Sequence, residues 1–443
     1  MPVTRTPTRA STTSVTTGVT TGVRAAVLGS TLAVVLLATL GTLLAAVLLK
    51  SACLTDWTPG AQPKSCYNDI QALWHARDMG ANVPPYSGEV REVVRDGEVV
   101  RIDLGQGQIE YPVVTGVFAW VTALPAWGHT SYWVISALAL TPFAFASSWA
   151  LARLSGRRAL LFAASPQLAA YAYLNWDLLP AAATVLAIWA WRRDRQTVAA
   201  VLLALGACAK IYPGFLLLPL VLHLLYAGRR VAAVRVVVAS VATVLVVNLP
   251  FALTNPTGWA APFRMQSLRV NDATTNSLWF AFGGGVPLGR LNLYSAAAVL
   301  LAWTVVCLVG YRAAVRGGDY PWLQVGAAMV TSYIVLGRVD SPQYGLWVLP
   351  FLVVVAVPRR WLVAFVVSDL WMWFEWSWLW GTPHLLHVIA PIVRALVLVG
   401  LTVVLLRSPL RLSAQTDELL VRPGPSAGRA AAPATAPTPA PHR

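Results

Sequence analysis

The stretch Pro112-Val-Val-Thr-Gly-Val-Phe-Ala-Trp-Val-Thr-Ala-Leu-Pro-Ala-Trp127 decides how this chain is threaded. It is apolar throughout, yet shorter than the ~20 residues a helix needs to cross a bilayer core. It either crosses, or lies on or dips into the interface. The arginines outside it separate these options. Basic clusters at 153–158, 192–195, 229–230, 312–316, 359–360 and 407–411 all fall between apolar runs. If 112–127 does not cross, every cluster faces the same side as the N-terminal arginines Arg5, Arg9 and Arg24. If it crosses, every cluster is turned outside. The rule that short basic loops stay in the cytosol favours a juxtamembrane segment.

Working outward, the composition supports a membrane chain. Of 443 residues, 57% are hydrophobic and only 12% charged. Soluble domains carry about 25% charged residues, so too few charges remain to coat a water-facing globule. The net charge of +15 sits in the loop clusters rather than on one face, which argues against a nucleic-acid partner. Twenty tryptophans, many at the ends of apolar runs, read as an interfacial belt.

The fold class expected is an all-α polytopic bundle of about twelve transmembrane helices, with a large first extracytoplasmic loop containing juxtamembrane helices. The spans run near 25–49, 131–152, 159–174, 177–191, 197–209, 213–227, 231–252, 293–311, 320–337, 342–357, 361–379 and 385–406. The first is too long for a signal-peptide core and remains as an anchor. Residues 1–24 and 407–443 read as disordered cytoplasmic tails, the second rich in Pro and Ala. The domain proper is 25–406, with loops at 50–130 and 253–292. Within the first loop, the charged run 89–103 has no place in this scheme. Pro213 breaks the helix pair at Lys210-Ile-Tyr-Pro213.

This threading gathers the scarce polar groups on the outer face. They are Asp69 and Glu110; Asn175 and Asp177; Lys210 and Tyr212; Arg264, Arg269 and Asp272; Arg338, Asp340 and Gln343; and His384 and His387. Ionisable groups near membrane depth are costly and mark functional sites. Ile70, Leu73, Trp74 and Arg77 follow Asp69 at helical spacing. Asp69 is therefore either a carboxylate poised at a helix start or simply the N-cap. Asp177 and Glu110 carry the same ambiguity. Lys210, at a broken helix tip among apolar residues, suits a phosphate, or else snorkels to headgroups. Arg264, Arg269 and Arg338 are further phosphate candidates, because a guanidinium grips two phosphate oxygens. His384 and His387 lack a third ligand, so no metal is expected. Asp369 and Glu375 lie within the penultimate span and have no assigned role. If the first loop is outside the cytosol, Cys53 and Cys66 can pair; otherwise they stay reduced. Gly283-Gly-Gly285 is no phosphate loop, since no Gly-Lys-Ser/Thr follows.

Several motifs, in order, resemble glycosyltransferase family 87 of the GT-C superfamily of polyprenyl-phosphate-sugar glycosyltransferases. These are Cys66-Tyr-Asn-Asp-Ile70, Pro85-Tyr86, Glu110-Tyr-Pro112, Asn175-Trp-Asp177, Lys210-Ile-Tyr-Pro213 and Asp340-Ser-Pro-Gln-Tyr344. The resemblance implies a plasma-membrane enzyme with both termini cytoplasmic. It would move a sugar, mannose or arabinofuranose, from a lipid-linked polyprenyl-phosphate donor to an envelope glycan or glycolipid acceptor, as in actinobacterial envelopes. By position it implies that Asp69 is the general base, with Lys210, Tyr212, Arg264, Arg269 and Arg338 on the donor phosphate. Glu110, Asn175, Asp177, Asp340, Gln343 and His384 would support them. No cofactor is expected. A lipid-linked sugar transporter or flippase is the rival, since it too would have a broken helix and intramembrane charges.

Overall fold

The computed structural model describes residues 15–55, 66–378 and 384–412. Of the expected disordered tails at 1–24 and 407–443, residues 1–14 and 413–443 lie outside them, while residues 15–24 are helical. The side chains of His384 and His387 are also outside the described residues.

A long first helix, α1 (Val15–Ser51), starts about ten residues upstream of the expected span. A short helix α2 (Asp69–Ala76) follows, then a hairpin of β1 (Val90–Arg95) and β2 (Glu98–Leu104), then α3 (Val113–Ala123). The bundle continues through α4 (His129–Ser155), α5 (Leu160–Ala163), α6 (Pro166–Tyr171), α7 (Leu178–Arg192) and α8 (Gln196–Ala209). Next come α9 (Tyr212–Phe215), α10 (Leu217–Tyr226), α11 (Arg230–Thr254), α12 (Pro256–Ser267) and α13 (Leu278–Phe282). The last five are α14 (Leu288–Val315), α15 (Trp322–Leu336), α16 (Gly345–Val354), α17 (Arg359–Trp378) and α18 (His384–Arg407).

The deciding stretch folds as α3, eleven residues long. At 1.5 Å per residue that is about 16 Å, roughly half a bilayer core and short of the length of a full span. It lies instead against α4, α8 and α11.

Against the twelve spans expected, five described helices are long and apolar enough to cross a membrane. They are Gly29–Ser51, His129–Ala163, Arg230–Thr254, Leu288–Val315 and Val388–Arg407. Most of the other expected spans fall on shorter apolar helices such as α7, α8, α15 and α16. The expected span 159–174 is instead broken into a 3-10 turn, α5 and α6. Burial explains the division of lengths. Every residue of α16 is buried, whereas only three of α11's 25 are. A helix enclosed by protein need not match the bilayer, while one facing lipid must. Small hydroxyls tie the bundle across helices. Thr39 of α1 donates to Ser148 of α4 at 2.7 Å, and Thr331 of α15 meets Thr402 of α18 at 2.8 Å. Arg158 donates to the carbonyls of Leu352, Val353 and Val355, satisfying the C-terminal end of α16.

The fold is thus almost wholly helical, but not purely so. The charged run 89–103 that found no place in the sequence forms the antiparallel hairpin, with Val90 opposite Leu104 and an irregularity at Val93/Val94. Its turn is Asp96-Gly97, both with positive φ (53° and 83°). An Asp-Gly pair between β-branched runs matches the right-handed twist of a two-residue hairpin, and this was the overlooked signal.

Candidate active site

Four tethers converge on Asp69. Asn68 is the N-cap of α2, its carboxamide oxygen accepting from Gln71 N at 2.8 Å. Asp69 is therefore the first helical residue and not the cap, so its carboxylate is free of that duty while still at the positive end of α2. A disulfide joins Cys53, just past α1, to Cys66, just before α2. Lys50 Nζ donates to the carbonyl of Tyr67 at 2.9 Å. The Asp69 N–H donates to the carbonyl of Leu174 at 2.8 Å, which docks α2 on the irregular segment before α7.

The half-buried carboxylate takes hydrogen bonds from two phenols. Tyr111 donates to Oδ2 at 2.6 Å, and Tyr67 bonds the same carboxylate. The Asp69 charge and burial hold the Tyr67 hydroxyl well above its ordinary pKa; at Tyr111 burial comes first and the Asp69 charge second. Both phenols remain protonated donors at neutral pH. Tyr111 is held in turn by Tyr86, which donates to its carbonyl at 2.7 Å. Gly116 permits this, because a Cβ there would strike the Tyr86 hydroxyl.

Lys210 lies over the ring of Tyr111, its Nζ 5.9 Å from that ring centroid, 5.1 Å from Tyr344 and 5.3 Å from Trp347. It is the C-cap of α8. Its ammonium donates to Asp177 Oδ1 at 2.6 Å. Asp177 makes no side-chain cap bond to α7; its other oxygen accepts from Trp347 Nε1 at 3.3 Å. An aromatic stack backs the pair, with Trp347 between Tyr212 (4.4 Å) and Tyr344 (3.7 Å). Trp176 closes the side, edge-on to Tyr111 at 5.2 Å. The arrangement brings a half-buried carboxylate to the hydroxyl of one tyrosine and a caged cation to its ring.

Other expected residues are distributed differently. Arg269, in the loop before α13, acts on Tyr67 and Tyr344 through its positive charge. It donates to the carbonyl of Thr274 at 3.1 Å. Arg338 supports it from behind, donating to the carbonyl of Arg269 and to Asn292 Oδ1, each at 2.5 Å. Arg264 is drawn away by Glu92 of the hairpin at 2.5 Å. Tyr212 is fully buried, its phenol taking a weak bond from Thr184, so it forms the stack and has no open hydroxyl. Glu110 pairs with Arg77 of the loop. Asn175 is buried, its carbonyl oxygen accepting from Asp177 N at 2.9 Å. Gln343 is buried in the Pro342–Tyr344 turn. Asp340 is bonded by Arg394 at 2.5 Å, as is Asp369 at 2.9 Å. His384 opens α18.

Sequence reasoning missed Lys50, Tyr67, Trp347 and Arg394 as contributors. Arg394 was legible, being the one charge in the apolar run 385–406. Among the described residues no cluster of His, Cys, Asp and Glu could hold a metal ion.

A helical membrane protein with a carboxylate and a caged cation meeting at one tyrosine is the class these features define. The model of glycosyltransferase family 87 matches residues 109–342, just over half of the chain, and the chain belongs to that family. It is a glycosyltransferase. The matched region contains Tyr111, Asp177, Lys210 and Arg269, while Asp69 and Arg394 lie outside it. No curated protein matches the chain.

Proposed function

We propose that this glycosyltransferase moves a sugar, mannose or arabinofuranose, from a polyprenyl-phosphate donor to an envelope glycan or glycolipid, at the plasma membrane. The observation that carries the proposal is that Asp69 and Lys210 both meet Tyr111, the carboxylate at its hydroxyl and the ammonium 5.9 Å from its ring centroid. Asp69 is the general base. Two phenols orient its carboxylate, which has about four lone-pair sites and so keeps room for an acceptor hydroxyl. The acceptor proton passes to Asp69 as its oxygen bonds to the anomeric carbon. The bond from that carbon to the phosphate oxygen breaks, and polyprenyl phosphate leaves with the electron pair. One such displacement inverts the anomeric centre, through an oxocarbenium-like transition state.

Lys210 and Arg269 balance the charge that collects on the departing phosphate. Binding the donor trades part of the Lys210–Asp177 contact for phosphate, while Asp177 keeps the ammonium in position. A positioned base contributes typically 10²–10⁴-fold. Charge stabilisation in an enclosed site contributes about as much. The donor needs no nucleotide pocket, since its lipid holds it in the bilayer. The Cys53–Cys66 disulfide favours an active site outside the cytosol, where such bonds persist.

The test is transfer from radiolabelled polyprenyl-phosphate mannose and arabinofuranose to envelope acceptors in membranes carrying wild type or Asp69→Asn. Transfer by wild type and none by the variant, at equal expression, is expected. Equal turnover by the two removes the base assignment. Movement of labelled lipid without transfer replaces the enzyme reading by a transporter.

A further inference from the structure

The donor side of the pocket is built on one turn, and a single buried residue from the far end of the chain holds that turn. Arg394 of α18 has no exposed surface. Its guanidinium reaches Asp340 Oδ1 at 2.5 Å and the carbonyls of Ser341 and Pro342, each at 3.3 Å. It also pairs with Asp369 Oδ1 at 2.9 Å, and Met372 Sδ lies 3.2 Å away. Three of these partners are consecutive residues of the turn that leads into α16. The planar fork of an arginine can serve two sides at once, which a lysine cannot.

The same turn has two outputs. Forward along the chain, Tyr344 stacks on Trp347 and faces Lys210. Sideways, the Asp340 N–H donates to the carbonyl of Thr275 at 2.8 Å. The neighbouring Thr274 carbonyl receives Arg269, whose own carbonyl is held by Arg338. Both the aromatic wall beside Lys210 and the loop carrying Arg269 therefore depend on where the turn sits. Asp369 approaches the start of α16 from behind, at Gly345, where any Cβ would collide with its carboxylate.

We infer that Arg394 is a positioning residue for the donor phosphate, setting Tyr344 and Arg269 against Lys210 without touching substrate itself. This rests on the proposed polyprenyl-phosphate donor. Arg394→Lys keeps a positive charge between two buried carboxylates, so the bundle still folds, but it loses the second arm of the fork. The turn carbonyls are then left without their donor, and the wall relaxes.

The experiment measures binding of decaprenyl phosphate to purified protein in nanodiscs, together with steady-state transfer. Arg394→Lys is expected to weaken decaprenyl phosphate binding and raise the donor KM by about tenfold, with acceptor KM and kcat at saturating donor near wild type. Asp369→Asn serves as the second variant. It disturbs the same core but leaves the Asp340 clamp, and donor affinity should stay within about twofold of wild type. Unchanged affinity in Arg394→Lys overturns the inference. So does an equal loss in Asp369→Asn, which would mean general damage to the core. Wild type that binds no decaprenyl phosphate overturns the inference and the donor reading together. Failure of the base reading shows separately, as an Asp69→Asn variant that still transfers.

Discussion

The phenol of Tyr111 donates to Asp69 Oδ2 at 2.6 Å while its ring centroid lies 5.9 Å from the Lys210 ammonium. One side chain therefore bonds the proposed base and packs beside the cation. Removing the hydroxyl alone separates the two duties. A hydrogen bond to a charged group contributes about 1.5–3 kcal/mol, so Tyr111→Phe should lower kcat about tenfold or more. Donor KM should barely move, because the ring remains. Steady-state kinetics on purified enzyme reads both numbers, and a rise in donor KM with unchanged kcat would contradict the assignment.

Lys210 and Asp177 should behave as a stability pair as well as a site. The Asp177 side chain is 2% exposed and that of Lys210 16%. Lys210→Met strands a buried carboxylate, a loss of about 3 kcal/mol or more. Adding Asp177→Asn should restore most of the thermal midpoint while transfer stays low. Recovery of activity along with stability would deny the lysine its part in donor binding.

Reduction should loosen the base. The disulfide closes a loop between Cys53 and Cys66, 13 residues apart, and a loop of that size is worth about 3 kcal/mol in the chain-entropy account. The variant Cys53→Ser with Cys66→Ser should lose thermal stability and activity together, and a reductant should do the same to wild type. Cys208 and Cys307 are free thiols, so reductant has no effect through them. Activity untouched by either treatment would show that Lys50 and Asn68 position α2 unaided.

Arg264 supplies a negative prediction. Its partner is Glu92, and both side chains are more than a third exposed. Exposed pairs contribute about 0–1 kcal/mol. Arg264→Ala should therefore leave donor KM within about twofold of wild type and the melting temperature nearly unchanged. A large rise in donor KM would return Arg264 to the phosphate site.

The sequence carried the membrane character, because scarce charge and long apolar runs leave no soluble alternative. It marked Asp69, at the start of a polar helical segment, and Lys210, at a helix break among apolar residues, as candidates. Of the twelve spans it expected, five fall on described helices long and apolar enough to cross a membrane. Alternation of apolar runs and basic loops counts segments, but it does not distinguish a helix bathed in lipid from a short one enclosed like α16. The hairpin was missed although Asp96-Gly97 announced it, since a charged run in a helical protein was weighed by charge and not by turn chemistry.

Local sequence settled which residues are polar, where helices break at Pro213, and which chain segments seek the bilayer, because those depend on near neighbours and on solvent transfer. Tertiary structure decided the partners. Asp340 met Arg394 across 54 positions, and Lys210 met Asp177 across 33. Charge pairing acts over a few ångströms in space, so only the packed bundle could determine which carboxylate or carbonyl each of the expected cations meets.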